Sequence, residues 1–326
     1  MTSLLVLGGT QFLGRAVAED ALQRGYEVTV LHRGLNEPPA GATALQGDRT
    51  TSDGLRALDD RAWEMVVDTW SGNPSAVERS ADLLRDRADR YAYVSSRSVY
   101  TWPAAAGADE GAPVVQVPDD VELDYAESKR AAELAVESAF GVRSLLLRAG
   151  LLIGPRENTG RLPWWLGRIA RGGDVPVPGP RDLDMQYIDA RDLAAWMLDA
   201  MSRGANGAFN AVGPPGCATM GELLDACVRV TGASATLRWV EPEAILSAGV
   251  QPWTELPAWM PPGPDHDAVH RGDVSRAQRH GLSMRPLYTT VADTWAWMCS
   301  SEGALALKDQ ASGLSAATEE VLLKAL

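Results

Sequence analysis

Two hydrophobic periods alternate along the first half of this chain. Leu4, Leu5, Val6 and Leu7 form an unbroken apolar run of strand length, the pattern of a parallel strand covered on both faces. Phe12, Leu13, Val17, Ala21 and Leu22 then return at helical spacing, and Gly25 supplies a stop. Gly8, Gly9 and Gly14 bracket the turn between them. Further runs predict strands at 26–31, 42–46, 63–69, 91–95 and 142–147, with helices at 74–88 and 125–140. Residues 101–120, rich in Pro, Ala, Gly and Asp, read as a loop. Strand and helix in alternation from 4 to 148 predict an α/β fold built on a doubly wound parallel sheet.

After residue 150 the pattern loosens. Residues 154–180 are rich in proline and glycine and hold one predicted helix, 162–171, carrying Trp164-Trp165. Short strands at 186–188, 209–212 and 236–240 alternate with helices at 190–201 and 220–230. Helices at 274–280 and 288–299 follow, then an amphipathic tail at 316–326. Residues 249–267 form a proline- and tryptophan-rich loop, either a lid over a site or an irregular layer of packed tryptophans. The expected organisation is a dinucleotide-binding unit over 1–150, to which the chain returns near 183–212. A smaller substrate region over 151–182 and 213–326 would carry the lid.

Composition narrows the class. The 326 residues are 45% hydrophobic and 22% charged, ordinary globular material. No charged-then-apolar leader and no membrane-length apolar run occur, which predicts a cytoplasmic protein without a membrane partner. Cys217, Cys227 and Cys299 lack paired-ligand spacing, so neither zinc nor a disulfide framework is expected and small buried residues are. The net charge of −13 disfavours nucleic acid. Lysine is rare: only Lys129, Lys308 and Lys324 occur.

Strand, glycine turn and helix in that order make a phosphate cradle, because a helix N-terminus offers free N–H groups and glycines let a pyrophosphate approach. The third glycine of the usual fingerprint is replaced by Gln11. An acidic residue after the second strand would hold an NAD ribose. This chain has His32 and Arg33 there, which favours NADP(H), with NAD(H) as the alternative. Arg15 is a second candidate for the 2′-phosphate. Asp48, after the third strand, could accept from the adenine amino group or cap the next helix. Asp68, Thr69 and Trp70 are expected at the cofactor edge. Tyr125 and Lys129, spaced i, i+4, share one helix face. A neighbouring ammonium favours phenolate, so the tyrosine can pass a proton to a substrate oxygen. Ser96, in a Ser-Ser-x-Ser segment 29 residues upstream, can hold that oxygen.

Gly-Gly-Thr-x-Phe-Leu-Gly, Tyr-Val-Ser-Ser-x-Ser-Val-Tyr, Tyr-x-x-x-Lys and Leu-Arg-x-Gly-Leu-x-x-Gly-Pro together resemble the extended short-chain dehydrogenase/reductase superfamily, closest to its NAD-dependent epimerase/dehydratase group. The resemblance implies a Rossmann-type sheet with a smaller α/β C-terminal substrate region. It implies Ser96, Tyr125 and Lys129 as catalytic, and Gly8, Thr10, Gln11, Phe12, Leu13, Gly14, His32, Arg33, Asp48, Thr69, Trp70, Tyr125 and Lys129 around the cofactor. It also implies a homodimer through helices 74–88 and 125–140.

The departures refine this. The variant with a polar residue at position 11 belongs to a subgroup that includes plastid stem-loop RNA-binding proteins. Arg97 and Ser98 follow Ser96 where 4,6-dehydratases carry an acidic pair. Leu151 stands where sugar-nucleotide enzymes carry a diphosphate-binding asparagine. With Trp164, Trp165, Trp253 and Trp259, this suggests a substrate more apolar than a nucleotide sugar. Contacts from Ser96, Leu151, Arg156, Trp164, Gln186 and Trp253 are expected. The sequence reading is an NADP(H)-dependent reductase or dehydrogenase of a small carbonyl or carbinol. Its alternatives are an NAD-retaining epimerase of a sugar or polyol, and a non-catalytic cofactor-sensing or RNA-binding protein.

Overall fold

A computed structural model describes residues 1–51, 53–119, 121–306 and 313–326. In chain order, β1 (Ser3–Leu7), α1 (Phe12–Gln23), β2 (Glu27–His32), β3 (Thr43–Gln46), β4 (Trp63–Asp68), α2 (Ser75–Leu84) and β5 (Ala88–Ser96) lead to α3 (Tyr125–Phe140) and β6 (Ser144–Ala149). Then come β7 (Leu151–Ile153), α4 (Arg161–Ala170), β8 (Gly173–Pro178), β9 (Asp184–Met185), β10 (Tyr187–Asp189), α5 (Ala190–Ser202) and β11 (Gly207–Ala211). The remainder is β12 (Ala218–Thr219), α6 (Met220–Thr231), β13 (Ala235–Val240), α7 (Pro242–Ser247), β14 (Pro252–Trp253), β15 (Leu256–Pro257), α8 (Pro264–His270), α9 (Ser275–Arg279), α10 (Leu287–Met298), α11 (Ser301–Ala306) and α12 (Ala316–Lys324).

Seven parallel strands pair in the order β11-β6-β5-β4-β1-β2-β3, a Rossmann-type sheet. The order reverses between β1 and β4, where open sheets of this kind leave a crevice at their carboxyl ends. Helices α1 and α5 cover one face and α2 and α3 the other, each over an apolar core. The C-terminal region has its own core around the fully buried Trp165 and Trp259. Among the described residues, no helix is long and apolar enough to cross a membrane.

Several expectations need correction. The helix expected at 74–88 ends at Leu84, and β5 begins at Ala88, earlier than expected. The strand expected at 142–147 starts at Ser144, after a 3-10 turn over Gly141–Arg143. The 154–180 stretch also contains β8, whose Pro176 and Pro178 hid a strand that pairs only with β13. The tryptophan-rich loop is not without structure: β14, β15 and the start of α8 lie in it, Trp259 is buried in the core, and Trp253 is half-buried. Of the cysteines only Cys227 is fully buried; Cys299 is exposed.

One buried network holds the carboxyl end of β4. Asp68, with no exposed surface, accepts from both terminal nitrogens of Arg49 at 2.6 Å. It also accepts from the Tyr91 hydroxyl at 2.6 Å and the Trp70 amide at 2.9 Å. Burial pulls the Arg49 guanidinium down, but the Asp68 carboxylate more than offsets this and holds it above its ordinary value. Asp68→Ala would strand that cation. The expected cost is about 3–5 kcal/mol, read as a fall in the urea midpoint at pH 7 with the slope unchanged.

Candidate active site

A cavity of about 980 Å³ opens at the carboxyl ends of β1 and β4. Its floor at one end is the glycine turn. Gly8 has φ +97°, and a Cβ there would meet Thr69 Oγ1 at 2.8 Å. A Cβ on Gly14 would run into the Gly8 carbonyl. Only glycines bring turn and helix this close. Helix α1 has Gln11 at its N-cap with no side-chain cap bond and no acidic residue in its first turn. Its free N–H groups therefore face the cavity as an anion cradle. The exposed Gln11 side chain lies on the cavity wall, with Thr10, Phe12 and Leu13.

At the end of β2, His32 and Arg33 line the cavity. No carboxylate lines this end among the described residues. Asp48 does not: its Oδ1 accepts from the Thr50 amide at 2.9 Å and the Thr50 hydroxyl at 2.7 Å, closing a local turn. Those hydrogen bonds hold its carboxyl below the ordinary range. Arg15 is likewise engaged, with Glu19 at 2.8 Å and the Glu37 carbonyl at 3.0 Å. Thr69 and Trp70 line the cavity, while Asp68 turns inward to Arg49.

Ser96, Tyr125 and Lys129 line the same cavity. Helix α3 starts at Tyr125 because Asp124 and Glu127 form a reciprocal capping box, at 2.8 and 2.9 Å. Tyr125 therefore stands on the first turn and is 52% exposed. One turn on, Lys129 is buried and its Nζ donates to the carbonyls of Trp70 (2.7 Å) and Val94 (2.8 Å). Its Nζ lies 4.8 Å from the Tyr93 ring centroid and 6.0 Å from that of Tyr125. Desolvation lowers the lysine to about 8, against the pull of Asp68 and Glu133. Ser96 ends β5, where its Oγ accepts from the Ser98 amide at 3.1 Å and donates to the Ser98 hydroxyl at 3.0 Å.

Leu151 and Trp253 line the far wall. Arg156, Trp164 and Gln186 are not brought there. Arg156 forms a two-pronged pair with Glu302, both contacts at 3.0 Å. Trp164 packs edge-on against Trp165 at 4.6 Å in the C-terminal core. Gln186 is fully buried and donates to the carbonyls of Gly213 and Gly272 at 2.8 and 2.9 Å. The sequence reading missed Tyr93, whose hydroxyl also donates to the Trp70 carbonyl at 3.2 Å. It missed Asn158, Thr159 and Arg161 on the far wall, which carry no motif. Ser98 was visible as the last serine of Ser-Ser-x-Ser.

The model of the NAD dependent epimerase/dehydratase family matches residues 4–212. The chain belongs to this family. It is an NAD(P)-dependent enzyme of the short-chain dehydrogenase/reductase type. A chloroplast stem-loop binding protein of 41 kDa from Arabidopsis thaliana is 23% identical over 70% of this chain, which spans 63% of that protein's length. A 2-alkyl-3-oxoalkanoate reductase of Stenotrophomonas maltophilia is 28% identical over 62% of this chain and 67% of its own. The fold is shared with the Bordetella bronchiseptica enzyme WbmH, solved in complex with NAD+, at a TM-score of 0.69 and 19% identity over 93% of this chain and all of that one. A family dinucleotide fits the cavity's volume, its uncapped helix end and its glycine approach.

The Lys129 environment makes a signed prediction. Its folded value, about 8, lies below the unfolded value near 10.5, so the unfolded chain binds more protons between them. Lys129 therefore costs stability in full below pH 8, and the cost is relieved as pH rises toward 10.5. Relative to Lys129→Met, wild type should gain about 2 kcal/mol between pH 7 and pH 9.5, measured by urea melts of both proteins.

Proposed function

We propose that the enzyme is an NADP(H)-dependent reductase or dehydrogenase acting on a carbonyl or carbinol carbon of a small, partly apolar substrate. The observation that carries this is the sharing of one cavity by Ser96, Tyr125, Lys129 and the glycine turn. A bound nicotinamide supplies or accepts the hydride. Tyr125, at the open mouth, gives the substrate oxygen its proton. The Lys129 charge beneath it stabilises the negative charge that develops on the phenol oxygen as the proton leaves. Ser96 turns its hydroxyl from Ser98 to the substrate oxygen and fixes it. Gly8, Gly14 and the start of α1 hold the pyrophosphate, and Arg33 meets a 2′-phosphate.

Leu151 and Trp253 on the far wall favour an apolar body over a nucleotide sugar. One curated relative is a reductase by name, which supports net reduction. The family supplies the rival, an NAD-retaining epimerase. The two separate on whether the purified protein retains tightly held NAD, released by denaturation and identified by its absorbance before and after reduction, and shows no net redox with substrate. The chloroplast relative's name raises stem-loop RNA binding. A net charge of −13 opposes it, because such affinity comes from cations on phosphates.

With a panel of carbonyl compounds and NADPH, Tyr125→Phe should lower the oxidation rate by about 10²–10⁴-fold while leaving NADPH affinity unchanged by fluorescence titration. Turnover near wild type sinks the assignment. Arg33→Ala should weaken NADPH by about tenfold, the worth of one charge-assisted contact, and leave NADH unchanged. Equal losses for both would remove the basis for NADP preference.

A further inference from the structure

The cavity is cationic in an acidic protein. Its described lining holds Arg33, Arg49, Arg97, Lys129 and Arg161 against a single carboxylate, Asp265. Arg49 is neutralised by Asp68. Arg33 and Lys129 lie where the cofactor's phosphates and ribose are expected. Arg97 and Arg161 belong to the other end, built with the C-terminal region, and a dinucleotide does not account for them.

Arg161 is presented to that end by three neighbours. Its Nη1 donates to the Thr159 hydroxyl at 3.1 Å. Its guanidinium lies 5.0 Å from the centre of the Trp253 ring. Beneath it the fully buried Glu157 takes the Arg161 and Leu162 backbone amides at 2.7 and 3.2 Å, so this carboxylate caps α4. The Glu157 carboxylate is electrostatically coupled to the Arg161 guanidinium, but among the described residues no carboxylate makes a direct ion-pair contact with it, so its fork stays open to the cavity. Trp253 is held at φ +67°, in the left-handed region that a bulky side chain avoids. Its amide donates to the Trp259 carbonyl at 2.9 Å, which fixes the strained turn to the core. Such strain, held against its cost, is a mark of functional placement. The other cation, Arg97, is buried and has no carboxylate partner among the described residues. It donates to Gln186 at 3.1 Å and to the Val269 and Ala268 carbonyls at 2.7 and 2.9 Å, and its Nε has no partner. Its charge is therefore solvated by dipoles and reaches the cavity uncancelled.

We propose that the far end of the cavity is a carboxylate subsite, in which Arg161, steadied by Thr159 and Trp253, receives the acid group of a substrate whose apolar body lies against Leu151, Trp253 and Met260. The planar guanidinium fork suits a carboxylate's two oxygens. The inference rests on the reductase reading of the same cavity and adds the substrate's class: an organic acid with an alkyl or aryl body.

The test uses octanoate and octan-1-ol, which match in body and differ in charge, titrated calorimetrically into protein saturated with NADP+. Octanoate should bind about tenfold to a hundredfold tighter than the alcohol, the worth of a charge-assisted pair. Arg161→Gln should level the two ligands, and Arg161→Lys should keep part of the preference. Affinity for NADP+, titrated separately, should not change in either variant. Equal binding of octanoate and octan-1-ol to wild type overturns the subsite without need of a variant, as does a preference that survives in Arg161→Gln. Loss of NADP+ binding by wild type would instead count against the reductase reading, and the octanoate comparison, repeated without cofactor, would still decide the subsite.

Discussion

The site depends on a charge buried under it. Asp68 ends β4 at the point where the sheet reverses direction, and it is wholly removed from water. Burying a carboxylate and a guanidinium is costly unless their geometry is good and their remaining valences are met. Here Arg49 pairs two-pronged at 2.6 Å, and Tyr91 and the Trp70 amide fill the rest. The last of these bonds turns the chain after β4 so that the Trp70 carbonyl faces α3. There it receives Lys129 Nζ and the Tyr93 hydroxyl. The position of the lysine thus follows from a buried salt bridge to which it makes no bond of its own.

Tyr125 and Lys129 sit one turn apart under different constraints. Lys129 is locked by two carbonyls and has no carboxylate partner among the described residues, so desolvation governs it and its proton is loosely held. Tyr125 is on the first helical turn, where one side of the helix faces solvent. The rest of α3 is tied down by Glu133, which is fully buried and accepts from Arg148 of β6 at 3.0 and 3.1 Å. The helix is therefore rigid behind the lysine and open at the tyrosine. That division suits a proton donor that must meet its substrate at the mouth of a cavity.

The sheet and the glycine turn were legible because their signals are local. Leu4 to Leu7 reads as a covered strand wherever its neighbours are, and the turn glycines are demanded by backbone contacts a few residues apart. The far wall was not legible, because its contacts are long-range. Gln186 is among the expected substrate contacts, yet its partners are at Gly213 and Gly272. Arg156 is another, and it meets Glu302, 146 positions further along the chain. Strand β8 escaped for the same reason: its prolines forbid a two-sided strand, and only its pairing with β13 reveals it. Arg161 carries no periodicity or motif. Its role becomes visible only when Trp253, 92 positions away, is seen under it.

Charge is divided unevenly between the surface and the interior of the site. The chain carries −13 overall, and its cavity is lined by cations. How each cation is held determines what the cavity does with that charge. A carboxylate partner cancels a cation's field, as Asp68 does for Arg49. Carbonyl dipoles solvate a cation without cancelling it, as at Lys129 and Arg97. The uncancelled charge stays inside low-dielectric walls, where it acts over several ångströms with little screening. The net charge of −13 disfavours polyanions at long range, while inside the cavity a small anion meets a field of opposite sign set by cations that dipoles solvate without cancelling.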